Sequence, residues 1–204
     1  YAFDIAEQLG WHLPKHIVVA WAGGTILRKL AKGFEELVKI GLVEDTGCKI
    51  YSAQAAGCAP IIQALHKGAD LVTPVKPNTI ASSIAIGNPA DGYYVIQAVK
   101  ESGGWGESVS DEEILEGIKL LARTEGIFTE PAGGTEVAAA RKLIESGRIP
   151  RDESIVISIT GNGYKTPEVV AESVERPYFI DSTLEKFDEL FGGLTSGQPV
   201  KAVG

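Results

Sequence analysis

Apolar residues along this chain follow two alternating rhythms. Short continuous runs rich in β-branched residues read as buried strands: His16 to Ala20 (HIVVA), Lys49 to Gln54 (KIYSAQ) and Ser154 to Ile159 (SIVISI). Between them, apolar positions recur at helical spacing. Ala2, Ile5, Ala6 and Leu9 share one face of a segment closed by Gly10, and Ile26, Leu27, Leu30, Phe34, Leu37 and Val38 share a face of another closed by Gly41. The pattern predicts further helices after Pro60, from Pro89 to about Ser102, and from about Thr135 to Ser146 with Gly147 as its stop. Ser110 with Glu113 three residues on forms a capping box ahead of a stripe of Ile114, Leu115, Ile118, Leu121 and Ala122, and Ser182 with Glu185 signals a last helix. From Gly192 the chain is rich in Gly, Pro and Ser and reads as a loose tail over 192–204. Strands alternating with helices predict an α/β fold, a mostly parallel open sheet with helices on both faces.

Composition adds exclusions. The 204 residues are 44% apolar and 23% charged, the balance of an ordinary globular chain. A net charge of −8 argues against a nucleic-acid or anionic-membrane partner. No apolar run approaches the ~20 residues of a spanning helix, and there is no signal peptide, so a cytoplasmic location is expected. Cys48 and Cys58 are too few for a disulfide framework and read as reduced thiols. His12, His16 and His66 have no metal-ligand spacing, and no Gly-x-Ser-x-Gly elbow is present. The chain has no methionine, and nothing precedes its first helix to cap it. Both features lead us to expect a piece of something longer.

In an open parallel sheet, ligands sit at the carboxyl ends of the strands, so the glycine-rich loops there carry the candidate chemistry. Ala22-Gly23-Gly24-Thr25 joins a buried strand to a helix. Its small residues allow backbone N–H groups to face an anion at a helix N-terminus, and Thr25 adds a hydroxyl donor. The loop lacks the Lys-Ser/Thr pair of a P-loop and the G-x-G-x-x-G of a dinucleotide fold, and the next strand ends near Gln54 without a ribose-binding acid. A plain strand-to-helix turn would look the same. Thr160-Gly161-Asn162-Gly163 also follows a strand; Thr160 either offers a hydroxyl to a heteroaromatic nitrogen or caps its own turn. Gly87-Asn88-Pro89 is a polar break ahead of a helix, and Pro89 suits its first turn. Glu130 opens Glu130-Pro131-Ala132-Gly133-Gly134-Thr135, as a functional carboxylate or as a dipole partner of the helix start.

Taken in order, these segments resemble threonine synthase, a pyridoxal-phosphate enzyme of the tryptophan-synthase-β-like superfamily (fold type II). The matching stretches are IAEQLGWHLPKHIVV, AGGTIL followed by KGF at Lys32, AQAAGCAPI, KPNTIASSIAIGNPADGYY, VSDEEI, EGIFTEPAGGTEVA and ITGNGYKTPE, from about residue 2 to 170. The resemblance implies that residues 1–191 are the C-terminal part of the cofactor-binding large domain. It implies that Ala22, Gly23, Gly24 and Thr25 hold the cofactor phosphate and that Thr160 faces the pyridine nitrogen. A hydroxyl there, unlike a carboxylate, does not favour a protonated ring. Gly87, Asn88 and Glu130 would lie near the cleft.

The implied reaction is conversion of O-phosphohomoserine and water to threonine and phosphate, in a cytoplasmic homodimer. The family's Schiff-base lysine stands in a Ser-Phe-Lys-Asp-like context in the N-terminal half, and no such motif occurs here. The chain is therefore expected to be inactive alone and to need that missing half. Two departures bear on the match. Ala22 stands where the phosphate loop often begins with glycine, and Ala85 where some members carry a cationic residue, which puts a substrate-phosphate contact there in doubt. The alternatives are a threonine dehydratase-like or cysteate synthase-like enzyme, or a non-catalytic scaffold on the same fold.

Overall fold

The computed structural model describes residues 1–171 and 178–195. They belong to two compact units, residues 1–169 and residues 170–204. In the first unit four parallel strands form one sheet, in the order β3-β2-β1-β4. These are β1 (His16–Ala20), β2 (Lys49–Ala55), β3 (Gly106–Val109) and β4 (Ile155–Ile157). The three strands expected from the apolar runs share this sheet, with β1 paired to β2 on one side and to β4 on the other. All five residues of β1 are buried, because both faces of the strand are covered. Ile17 and Val19 join the core formed with α1 (Ala2–Gln8), α2 (Thr25–Lys39), α3 (Pro60–His66) and α4 (Gly92–Glu101). The alternate residue Val18 lies outside that cluster, on the other side of the pleat. There α6 (Pro131–Glu145) packs across β1, β2 and β3, and α5 (Asp111–Glu125) packs on α6.

β3 was not anticipated. Its sequence, GESV, has no apolar run, and it becomes a strand by pairing with Ser52 to Ala55 of β2. β4 is shorter than its apolar run, because the Ile159 N–H turns back to the Ile157 carbonyl, 3.1 Å away. α6 starts at Pro131, four residues before Thr135, since proline suits the first helical position. α4 starts later than expected, at Gly92 with Asp91 before it, so Pro89 lies outside the helix. The capping box on α5 is present as read: Ser110 Oγ accepts from the Glu113 N–H and Glu113 Oε2 from the Ser110 N–H. Ile114 and Ile118 are buried, whereas Ala122 is exposed.

α5 and α6 meet backbone to backbone. A Cβ on Gly134 would lie 2.6 Å from the Ile114 carbonyl oxygen, and one on Gly117 would lie 2.3 Å from that of Gly134. The close approach lets α6 bury every residue from Pro131 to Ala140, including Glu136. Burial pushes the Glu136 carboxyl well above the usual carboxylate range, against the opposing hydrogen bond from the Ala20 N–H.

The boundary between the units falls within α7 (Glu168–Ala171). In the second unit α8 (Leu184–Thr195) is capped by Thr183, whose hydroxyl accepts from the Lys186 N–H at 3.3 Å, one residue on from the expected Ser182. It continues through Gly192 to Thr195, into the segment read as tail; residues 196–204 lie outside the described residues.

Two outcomes are expected from urea unfolding of the chain. Ser110→Ala should cost about 1 kcal/mol, the usual value of a lost N-cap. Gly134→Ala should cost more, about 1–3 kcal/mol, because overpacking outweighs alanine's helix propensity; an unchanged midpoint would contradict the backbone contact. The raised Glu136 carboxyl sets a pH dependence. Its folded pKa lies above the ordinary carboxylate value of 4.5, so its contribution is whole below pH 4.5 and is lost as pH rises through the folded pKa. Glu136→Gln should therefore gain stability over the parent progressively as pH rises from 4.5; parallel stability–pH curves would count against a carboxyl raised by burial.

Candidate active site

Strands β1 to β3 step outward on one side of β1, and β4 returns on the other. The order in which strands are added thus reverses between β1 and β4, and in open parallel sheets the crevice at the carboxyl ends of such a pair is where ligands bind. Two of the glycine-rich loops leave the sheet at that point.

The first follows β1. Trp21 is buried, and its indole N–H donates to Ser52 Oγ at 2.9 Å, fixing the start of the loop to β2. Gly24 is the N-cap of α2 in a left-handed conformation, φ 100°, and a Cβ there would lie 2.8 Å from Val95 Cγ2 and 3.0 Å from Asp91 Cβ. Only glycine fits. A Cβ on Gly23 would meet nothing within 4 Å, so that residue borders open space. The N–H groups of Ala22, Gly23 and Gly24 donate to no acceptor among the described residues. Unpaired amides at the head of a 15-residue helix form the physical basis of an anion cradle.

Thr25 behaves differently from expectation. Its hydroxyl donates to Asp91 Oδ2 at 2.8 Å, Arg28 Nη1 donates to Asp91 Oδ1 at 2.9 Å, and the Asp91 N–H donates to the Gly23 carbonyl at 2.9 Å. The Thr25 hydroxyl holds the Asp91 carboxyl below the usual range, against burial, and Arg28 adds to the effect. Asp91 is therefore a brace between the loop and the start of α4, and Thr25 offers a ligand only its backbone.

The second loop follows β4. Thr160 is exposed; Asn162, not Thr160, caps the turn, accepting from the Tyr164 N–H at 2.9 Å. The Gly161 carbonyl accepts from the Thr129 hydroxyl at 2.9 Å and from the Glu130 N–H at 3.2 Å. A Cβ on Gly161 would fall 1.8 Å from Glu130 Oε1, so the carboxylate packs directly against the glycine. Glu130 is 5% exposed and pairs with Lys165 Nζ at 3.1 Å. Thus Glu130 and Thr160, separate motifs in the sequence, belong to one braced unit. Glu130 makes no side-chain cap on α6. Gly87 is buried against the backbone, since a Cβ would lie 1.7 Å from the Val75 carbonyl oxygen, and Asn88 is exposed.

The sequence reading missed Asp91, Lys165 and Glu136. Asp91 had a visible signal, an acid just before a helix; the other two depend on contacts with residues far away in the chain. A recess of about 740 Å³ lies elsewhere, between α2 and α4, and contains none of the loop residues. Both cysteines are free, and burial, aided by Asp45, pushes the Cys48 thiol up to about 12. No described helix is long and apolar enough to cross a membrane.

Comparison with known proteins bears directly on this arrangement. The model of the family described as pyridoxal-phosphate dependent enzyme matches residues 1–161. Threonine synthase of Methanocaldococcus jannaschii is 41% identical over 181 residues, 88% of this chain and 44% of that protein. Threonine synthase of Methanosarcina acetivorans is 40% identical over 192 residues, 94% of this chain and 47% of that protein. The chain spans about half the length of these curated relatives. Among solved structures, a fungal L-serine ammonia-lyase from Rhizomucor miehei superposes with a TM-score of 0.67 at 18% identity, over 85% of this chain and 54% of that one. Maize serine racemase gives 0.60 at 18% identity, over 96% and 51%. These two likenesses are of fold alone. Strand order, loop placement and the match over residues 1–161 agree, and the chain belongs to the family of pyridoxal-phosphate dependent enzymes.

Proposed function

We propose that this chain is the C-terminal, cofactor-cradling part of a cytoplasmic threonine synthase that converts O-phosphohomoserine and water to threonine and phosphate. The observation that carries the cofactor site is the pair of loops at the adjoining ends of β1 and β4: unpaired amides at Ala22, Gly23 and Gly24 on one, an exposed Thr160 hydroxyl on the other. The choice of reaction rests on the 40–41% identity to archaeal threonine synthases. Pyridoxal phosphate, when bound, supplies an electron sink for negative charge developing on an amino-acid substrate.

The chain's own residues then have separable tasks. Gly23, Gly24 and Thr25 bind the phosphate through backbone N–H groups, without a charged side chain that would need its own counter-ion. Asp91 and Arg28 keep that loop rigid. Thr160 can donate to or accept from the ring nitrogen, so it orients the ring without demanding its protonation. Glu130, through its contact with Gly161, sets where Thr160 stands. The covalent lysine comes from the N-terminal half, the functional protein is a homodimer, and this chain alone is inactive.

The test is reconstitution of this chain with its N-terminal half, followed by separate measurement of threonine and keto acid from O-phosphohomoserine and from threonine. Threonine formed from O-phosphohomoserine supports the reading. Keto acid alone points to a dehydratase, and no product with either substrate points to a scaffold.

Two further outcomes follow from the roles assigned. Inorganic phosphate added to the isolated chain should shift the amide resonances of Gly23, Gly24 and Thr25; resonances that stay in place would remove the cradle. In the reconstituted enzyme, Thr160→Val leaves a buried ring nitrogen unpaired, at about 1–3 kcal/mol, so turnover should fall roughly 5- to 150-fold. Thr160→Asp should instead draw a proton onto the ring and change the ratio of threonine to keto acid. If neither rate nor ratio moves in either variant, Thr160 is only a turn residue.

A further inference from the structure

β1 bonds to its two neighbours through alternate residues. On the β4 side, the His16 N–H donates to the Ser154 carbonyl at 3.1 Å, and the Ser158 N–H donates to the Val18 carbonyl at 3.2 Å. The next rung of a parallel ladder would run from the Ala20 N–H to the Ser158 carbonyl. It is not made. Pairing with β4 ends at Val18↔Ile157, whereas pairing with β2 continues to Ala20↔Ala53. The Ala20 N–H donates instead to Glu136 Oε1 at 2.7 Å. At the same level the chain after β4 turns aside through the bond from the Ile159 N–H to the Ile157 carbonyl.

Glu136 stands in the second turn of α6 and is wholly buried. Its other oxygen, Oε2, has no partner among the described residues. A buried carboxyl with one donor is a costly way to satisfy one amide that a strand neighbour could have satisfied with its own carbonyl. The arrangement has a geometric consequence. Ala20 lies two residues before the Ala22–Thr25 loop, and Ser158 lies two before Thr160. One more rung would draw the roots of the two loops together to the spacing of paired strands, about 4.8 Å.

We propose that Glu136 is a positioning residue that takes the place of the next β1–β4 rung and so holds open the crevice between the Ala22–Thr25 loop and the Thr160 loop. The part of this inference that concerns pyridoxal phosphate rests on the function proposed above; the part that concerns the ladder does not. The side chain acts on the crevice only through the Ala20 amide, and touches no ligand. What matters is therefore an acceptor at that point rather than a negative charge, and the amide of glutamine can supply it.

The experiment reads two quantities, the first on the chain itself and the second on the chain reconstituted with its N-terminal half. The first, without ligand, is the hydrogen-bond partner of the Ala20 amide, from through-bond NMR coupling and amide exchange. In the parent, the coupling must run to the Glu136 carboxyl carbon; coupling to the Ser158 carbonyl overturns the proposal before any variant is made. In Glu136→Met, which keeps side-chain length and removes the acceptor, the coupling should move to the Ser158 carbonyl. In Glu136→Gln it should stay on residue 136.

The second quantity is the affinity of the reconstituted protein for pyridoxal phosphate, by titration. It should fall at least roughly tenfold in Glu136→Met, about 1.4 kcal/mol, and stay within about twofold in Glu136→Gln. An unchanged coupling pattern and affinity in Glu136→Met overturn the proposal, as does an equal loss in Glu136→Gln. If the parent binds no pyridoxal phosphate while the coupling moves as described, the cofactor reading fails and the ladder assignment stands.

Discussion

Backbone hydrogen bonding by the central strand β1 is the constraint on which the site depends. In a parallel ladder, successive residues of one strand bond to opposite neighbours, so β1 has one set of groups for β2 and another for β4. A sheet that used both sets to the end of the strand would close over its carboxyl edge. Here the β2 side runs to Ala20 and the β4 side stops at Val18. The difference of two residues separates a four-stranded sheet from a sheet with a crevice. The amide left over cannot go unpaired in a buried position, and α6 meets it with a carboxyl oxygen from outside the sheet.

That solution requires α6 to lie close against the sheet, and glycine makes it possible. Gly134 and Gly117 let α5 and α6 touch at their backbones, and Gly133 accommodates the Thr129 side chain, with a virtual Cβ only 2.1 Å from its hydroxyl. The same helix carries Glu130 at its N-terminus, against Gly161. One helix therefore fixes both ends of the problem: Glu136 stops the ladder below the loops, and Glu130 sets the loop that follows β4. The Ala22–Thr25 loop has a separate brace, Asp91, reaching it from the start of α4 on the opposite face of the sheet.

What the sequence revealed and what it hid divide along the range of the interaction. The apolar runs of β1, β2 and β4 are local, and so are the capping box of Ser110 and the stripe of α2; all were legible. GESV of β3 has no local signature and is a strand because β2 offers it an edge. The glycine loops could be located by their position after strands, and the resemblance supplied roles for them. The partners of those loops could not be read. Thr25 looked like a ligand donor, because nothing in its neighbourhood shows that Asp91, 66 residues away, takes its hydroxyl. Glu130 looked like a dipole partner of its own helix, and its neutralising cation proved to be Lys165, 35 residues on. Glu136 sat in a run of small residues, where an acid reads as a surface residue until the packing of α5 and α6 is known.

The distribution of charge at the crevice follows from these partners. Asp91 is committed to Arg28 and Thr25, and Glu130 to Lys165. Burial disfavours the charged form of Glu136 and pushes its carboxyl well above the usual range. Three carboxyl groups thus stand near loops suited to a phosphate: two are paired with cations, and burial opposes ionisation of the third. An unpaired carboxylate there would oppose anion binding through a medium of low dielectric, where Coulomb terms are large. Pairing and burial remove that opposition while leaving the rigidity the carboxyls provide. The chain's net charge of −8 is for the same reason compatible with an anion site: the field at the loops is set by the unpaired amides at the head of α2 and by nearby charges that are already compensated.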